Sequence, residues 1–158
     1  MINDETIIPR LIINEGMRLQ PYKCTSGKTT IGVGRNLDDN PLTDEEKALI
    51  GHDVMEGITE HQATMLLIND IKRVKDQLDK NLPWWRDLDD ERQFVMIDLC
   101  FNMGISGLLT FHNTLRQIAT GWYIRAGDNL LKSKYAKQVG KRAERNAECI
   151  KTGVYKFN

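Results

Sequence analysis

The chain has 158 residues, 41% hydrophobic and 28% charged, with 22 basic and 22 acidic side chains and no net charge. That length and balance give one compact unit with a real core and exclude a disordered or fibrous chain. No apolar run approaches 18 residues, and the acidic start MINDETIIPR lacks a basic region followed by an apolar one, which argues against a membrane span and a signal peptide.

The neutral total hides an asymmetry. Residues 1–110 carry 12 basic and 19 acidic side chains, and residues 111–158 carry 10 and 3. A basic end can face an anionic polymer or is a solvated surface. The three cysteines, Cys24, Cys100 and Cys149, fit no zinc or redox spacing, and an odd count leaves one unpaired. Cys100 and Cys149 read as small apolar helix residues, and the chain as one made in a reducing compartment without disulfides. His52, His61 and His112 are scattered, so no metal site is expected.

In chain order, a first helix is expected over 7–15, with Pro9 in its first turn, where a missing N–H costs little. Ile8, Leu11, Ile12 and Glu15 share one side, and Gly16 ends the helix. Glu15 thus stands at a helix C-terminus, whose dipole disfavours the anion and pushes the carboxyl pKa up unless a cation compensates. Tyr22–Thr25 and Thr29–Val33 read as strands around a Ser-Gly turn, with Tyr22 and Cys24 on one face. Gly32 and Gly34 permit close backbone approach, and 35–41 reads as a polar loop.

Thr43 to Glu46 is a capping box for a short helix ending at Gly51. Thr59 with Gln62 caps a helix running to Lys80, whose length of about 30 Å could join a small strand-containing lobe to a larger helical one. Pro83-Trp84-Trp85 starts a short segment. Trp84, Trp85 and Trp122 invite sugar stacking, but core packing is the favoured reading, with Trp84 and Trp85 at a helix start after Pro83. An apolar helix follows over 89–103, ended by Gly104. Further helices are expected at 106–111, 113–121, 123–132 and 140–151.

Glu15, Cys24 and Thr30 form E-x8-C-x5-T inside EGMRLQPYKCTSGKTTIGVGR. The run EG-x-RL-x-x-Y-x-x-T-x-G-x-x-TIG-x-G from Glu15 to Gly34, ITEHQATMLLINDI, and FNMG-x-x-G-x-x-x-F-x-N-x-L from Phe101 to Leu115 resemble the phage-type lysozymes of T-even bacteriophages, a glycoside hydrolase family. Asn129-Leu-x-Lys-Ser, Arg142-Ala and Thr152-Gly153 continue the match, and only 36–57 and 80–90 resist it.

The resemblance implies a mostly helical, two-lobed α+β fold in a single domain, 1–158. A small β-hairpin lobe would cover 14–59, a long interlobe helix 60–80, and a larger helical lobe 1–13 with 81–158. It implies an endolysin that hydrolyses the β-1,4 bond between N-acetylmuramic acid and N-acetylglucosamine of peptidoglycan, with no metal or organic cofactor. The substrate would lie in the cleft between the lobes. Made in the host cytoplasm, such a protein would reach the wall through a separate pore-forming holin. It is expected to be a monomer without nucleic-acid partners.

By the same resemblance Glu15 is the general acid, and Cys24 and Thr30 flank the attacking water. Glycoside cleavage needs a proton on the leaving oxygen and electron density on the opposite face of the sugar. Cys24 departs from the family, where a carboxylate is expected. With an ordinary thiol pKa of about 8.5, only a few per cent would be thiolate at neutral pH. It could position water in an inverting reaction, attack as a nucleophile with retention, or merely fill space. The first is favoured. Thr30 offers a hydroxyl to hold the water, or is a strand former.

Asn36, Phe101, Thr114 and Asn129 match substrate-contacting positions. Asn36 replaces an apolar residue there, so only its backbone carries over, and Phe101 equally suits core packing. Arg142 matches an arginine that approaches the acid, while Asn102 and Tyr135 replace a longer amide and a larger aromatic. Arg35 replaces a histidine, so an Arg35–Asp70 ion pair that cannot titrate near neutrality is expected. Two other readings stay open. The chain could bind peptidoglycan without cutting it, or the basic segment with Lys134, Lys137, Lys141, Arg142 and Arg145 could act on anionic lipid or lipopolysaccharide.

Overall fold

The computed structural model describes residues 1–157. It is mostly helical with one small antiparallel sheet, the expected α+β class. Residues 4–72 make one compact unit, and residues 1–3 with 73–158 make another.

The unit of residues 4–72 begins with helix α1, Asp4–Glu15. It starts three residues before the expected bound, because Asp4 and Glu5 complement the positive N-terminal end of the dipole. Pro9 is consequently inside the helix, not in its first turn. The helix survives the missing N–H because Ile7 and Leu11 are wholly buried on either side of it.

Strand β1, Arg18–Lys23, starts four residues and ends two residues earlier than expected, and it pairs with β2, Thr29–Gly32. Arg18 faces Gly32 while Tyr22 faces Thr30, so the register slips between them. Pro21 falls in that stretch and has no ladder donor. Cys24 is therefore in the turn, not on a strand face with Tyr22. Its N–H bonds the Lys28 carbonyl at 2.9 Å, and Gly27 N–H bonds the Cys24 carbonyl at 2.8 Å.

A third strand, β3 (Arg35–Asn36), replaces the loop expected at its position. It pairs with β2 through Thr30–Asn36 and Ile31–Arg35. Helix α2, Asp44–Ile50, opens with the expected Thr43–Glu46 capping box and ends at left-handed Gly51. One 3-10 turn, Val54–Glu56, precedes α3, Glu60–Asn81, which Thr59 and Gln62 cap reciprocally. Ile31, Ile50, Ile58, Ala63 and Leu66 form the core of this unit.

In the other unit a 3-10 segment, Pro83–Asp87, buries Trp85 completely, and its indole N–H bonds Asp79 at 2.8 Å. Trp85 is core, and Trp84 is half-buried. Helix α4, Asp90–Leu108, absorbs the separate helix expected at 106–111, with a kink at Gly104 (φ 78°, ψ 159°) marking where the two would have parted. Every residue from Gln93 to Cys100 is buried, which makes α4 the axis of the unit.

Helices α5 (His112–Ala119) and α6 (Tyr123–Leu131) follow near their expected positions. Helix α7, Lys134–Val139, was not expected; Ser133 caps it by accepting from the Ala136 N–H at 3.2 Å. Helix α8 covers Lys141–Thr152. Cys100 and Cys149 are buried free thiols, and burial pushes Cys100 up to about 11.

Candidate active site

Glu15 is the last residue of α1. Gly16, at φ 75°, turns the chain out of the helix, and its N–H bonds the Ile12 carbonyl at 2.7 Å. No basic residue stands in the last turn of α1. The carboxyl packs on the β2–β3 turn: a Cβ on Gly34 would stand 2.8 Å from Glu15 Oε2 and 2.9 Å from its Cδ. Tyr22 is also near, since its phenol is raised by burial first and then by the Glu15 charge.

The β1–β2 turn gives Cys24 an anion-favouring environment. Its Sγ is 3.0 Å from Ser26 Oγ. The thiol is lowered to about 7, chiefly by the Ser26 hydroxyl and then by the Lys28 N–H, with the Ser26 N–H and Thr30 hydroxyl adding smaller contributions against burial. The thiolate share at neutral pH is then larger than the few per cent that an ordinary thiol would give. Ser26, two residues on, was the local signal. Thr30 is buried in β2, and its Oγ1 donates to the Lys28 carbonyl at 3.1 Å. Cys24, in the turn, and Thr30, on β2, therefore lie on one hairpin, in the unit that also holds Glu15.

Behind the hairpin lies a buried ionic cluster. Arg35 Nη1 donates to Asp70 Oδ1 at 2.9 Å and to Glu46 Oε2 at 3.0 Å, and Nη2 donates to Glu46 Oε1 at 2.7 Å. Glu46 was not expected here. Its capping-box role is visible in the sequence, but its contact with Arg35 spans two elements. Glu46 falls to about 2: burial opposes ionisation, and hydrogen bonds from Arg35, Asn69 and Thr43 outweigh it. Arg35 is itself opposed by burial and raised by the two carboxylates.

Asn36 uses its side chain locally. Oδ1 accepts from the N–H groups of Asp38 and Asp39 at 3.0 Å each, and Nδ2 donates to Asp39.

The remaining expected residues belong to the other unit. Phe101 and Asn102 are half-buried on α4, just before the Gly104 kink. Thr114 is buried on α5, and Asn129 Nδ2 on α6 donates to Gln117 Oε1 at 2.7 Å. Arg142 holds Asp98 bidentately, Nη2 to Oδ1 at 2.7 Å and Nε to Oδ2 at 3.0 Å. Asn146 Nδ2 donates to Asp98 Oδ2 at 2.9 Å and to the Tyr135 hydroxyl at 3.0 Å. Burial pushes the Tyr135 phenol well above its ordinary range. The carboxylate of Asp98 inside FVMIDLC signals a buried cation partner, whereas nothing local in the sequence singles out Asn146. Trp122 is exposed, with the Arg125 guanidinium 5.0 Å from its ring.

Among the described residues no group of three or more His, Cys, Asp and Glu is disposed to hold a metal ion. Among the described residues no helix is long and apolar enough to cross a membrane.

The phage lysozyme family profile matches residues 13–148. The chain is similar to "Probable T4-type lysozyme 1" of Dictyostelium discoideum, 30% identical over 156 residues that cover 89% of this chain and 91% of that protein. It is also similar to an endolysin of Acyrthosiphon pisum secondary endosymbiont phage 1, 28% identical over 81% of this chain and 77% of the relative. A third relative is the pre-baseplate central spike protein Gp5 of Enterobacteria phage T4, 28% identical over 89% of this chain but only 26% of that longer protein. With the match running from α1 to α8, the chain belongs to the phage lysozyme family.

Proposed function

We propose that this protein is a muramidase that hydrolyses the β-1,4 bond between N-acetylmuramic acid and N-acetylglucosamine of peptidoglycan, and that it serves as an endolysin. Glu15 is the general acid that protonates the leaving oxygen. Cys24 and Thr30 hold and polarise the attacking water, and the anomeric centre inverts. The reading is supported above all by the hairpin: Cys24 N–H and Thr30 Oγ1 both bond the Lys28 carbonyl, at 2.9 and 3.1 Å, and the Cys24 Sγ lies 3.0 Å from the Ser26 hydroxyl that helps lower the thiol to about 7. A sulfur that ionises readily near neutral pH, beside the Ser26 hydroxyl, supplies the negative charge that a carboxylate would supply, without an acidic residue in the turn.

The half-buried Phe101 and the amide of Asn129, already oriented by Gln117, suit the apolar faces and hydroxyl groups of sugars. Thr114 adds a hydroxyl, and Asn36 contributes through its backbone, since its side chain is engaged in the loop. Release to the wall is assigned to a separate pore-forming holin, and the working form to a monomer.

The test is proton NMR of the anomer formed first from soluble peptidoglycan fragments, run on wild type, Glu15→Gln, Cys24→Ala and Cys24→Asp. Inversion, a silent Glu15→Gln, a weak Cys24→Ala and an active Cys24→Asp are expected. Retention would make the sulfur a nucleophile. Full activity in Cys24→Ala would remove the thiol from the mechanism.

A further inference from the structure

Two glycines on one hairpin answer different demands. Gly32 and Gly34 both have left-handed backbone, with φ of 68° and 65°. A Cβ on Gly32 would meet only ordinary contacts, Ala63 at 3.6 Å and Ile58 at 3.7 Å. A Cβ on Gly34 would stand 2.8, 2.9 and 3.1 Å from Oε2, Cδ and Cγ of Glu15. Glycine at 32 serves the backbone alone. Glycine at 34 also leaves room that the Glu15 carboxyl fills.

The residue after Gly34 is held unusually hard. Arg35 has five N–H donors, and each has an acceptor. Nε bonds the Asn40 carbonyl at 2.8 Å, Nη1 bonds Glu46 and Asp70, and Nη2 bonds Glu46 and the Pro41 carbonyl at 3.3 Å. Glu46 is filled in the same way. Oε1 accepts from Arg35 and the Thr43 N–H, and Oε2 from Arg35 and Asn69 Nδ2. The cluster ties β3 to α2, to α3 and to the 40–41 loop. On one side of Arg35 lies Gly34, against Glu15. On the other lies Asn36, paired with Thr30.

We propose that Gly34 is the seat of the Glu15 carboxyl, and that Arg35 and Glu46 are positioning residues that hold this seat at a fixed distance from Thr30. The proposal rests on Glu15 being the acid. It gives the buried cluster a purpose beyond stability: burying three charges is expensive in desolvation, and a closed network yields orientation in return. A misplacement of about 1 Å near reacting groups can slow catalysis about 100-fold.

The experiment compares Gly34→Ala with Gly32→Ala, which share the positive-φ strain but not the contact with Glu15. Steady-state kinetics on soluble peptidoglycan fragments are read across pH, and the Glu15 side-chain carboxyl is followed by carbon-13 NMR titration in the full chain. Gly34→Ala should lower kcat about 10- to 100-fold with KM nearly unchanged, and move both the alkaline limb of kcat and the Glu15 titration. Gly32→Ala should lose comparable thermal stability while keeping the wild-type kcat and titration.

Equal kinetics and titrations in the two variants overturn the seat. Glu15→Gln separates this from the underlying reading: if it is inactive the acid assignment stands even when the seat fails, and if it is fully active the acid assignment itself fails. Should Gly34→Ala not fold, Glu46→Gln under the same two measurements decides. A lowered kcat with a displaced Glu15 titration supports positioning, and wild-type values for both overturn it.

Discussion

Arg35 and Glu46 face each other fork to fork: Nη2 meets Oε1 at 2.7 Å and Nη1 meets Oε2 at 3.0 Å, with both side chains buried. Truncating either end leaves the other as a buried charge short of a partner. Glu46→Ala should therefore cost about 3 kcal/mol of unfolding free energy, readable in urea titrations at neutral pH.

The same pair sets an acid limb. Glu46 lies at about 2, below the ordinary glutamate value of about 4.3. Its folded pKa is depressed, so its contribution is complete above about pH 5 and is lost as pH falls from there toward 2. Wild type should lose stability over that window, and Glu46→Gln should lose less of it. Identical slopes of unfolding free energy against pH in the two proteins would show that Glu46 is not the titrating group.

Arg35 cannot deprotonate near neutrality, so the cluster keeps its cation across the physiological range. A histidine here behaves differently. The neighbouring carboxylates Glu46 and Asp70 would raise its folded pKa above the ordinary value of about 6.5. Its contribution would then be complete below about pH 6.5 and lost as pH rises through the folded value. Arg35→His should become less stable from about pH 6 to 8, where wild type stays level. A flat Arg35→His profile in thermal melts across that range would sink the idea.

Cys24 and Cys100 should separate cleanly in reactivity. The Cys24 thiol lies at about 7 in a partly exposed turn, while Cys100 is buried and pushed up to about 11. Iodoacetamide should label Cys24 first, with a rate that rises through a midpoint near pH 7, and lytic activity should fall in step with that labelling. Ser26→Ala removes the largest lowering influence, so its labelling midpoint should move toward the ordinary thiol value. Peptide mass spectrometry reads the site and the rate together.

Local signals carried much of the fold. The Thr43–Glu46 and Thr59–Gln62 boxes and the stops at Gly16 and Gly51 are contained within a few residues, and the structure has them. The misplacements arose where tertiary context overrode local preference. Pro9 did not delimit α1, because buried Ile7 and Leu11 hold the helix through it. The slip around Pro21 moved β1 and put Cys24 in a turn. In the site, residue types were legible and their state was not. The thiol's acidity comes from donors placed by the turn, and Glu46 and Asp98 meet their arginines across 11 and 44 residues of chain.

Asp98 supplies a last test, because a carboxylate at the centre of an apolar helix must be matched or it destabilises. It is wholly buried and holds Arg142 through two bonds and Asn146 through a third. Asp98→Ala takes the bidentate carboxylate away from a buried guanidinium and should cost about 3 kcal/mol. Asp98→Asn keeps the shape and one acceptor but removes the charge, so it should cost less than the alanine. The two unfolding free energies, measured at one pH in urea, check the order. An alanine variant as stable as wild type would mean that the Arg142 charge is held by other groups, and that Asp98 is dispensable to the core of this unit.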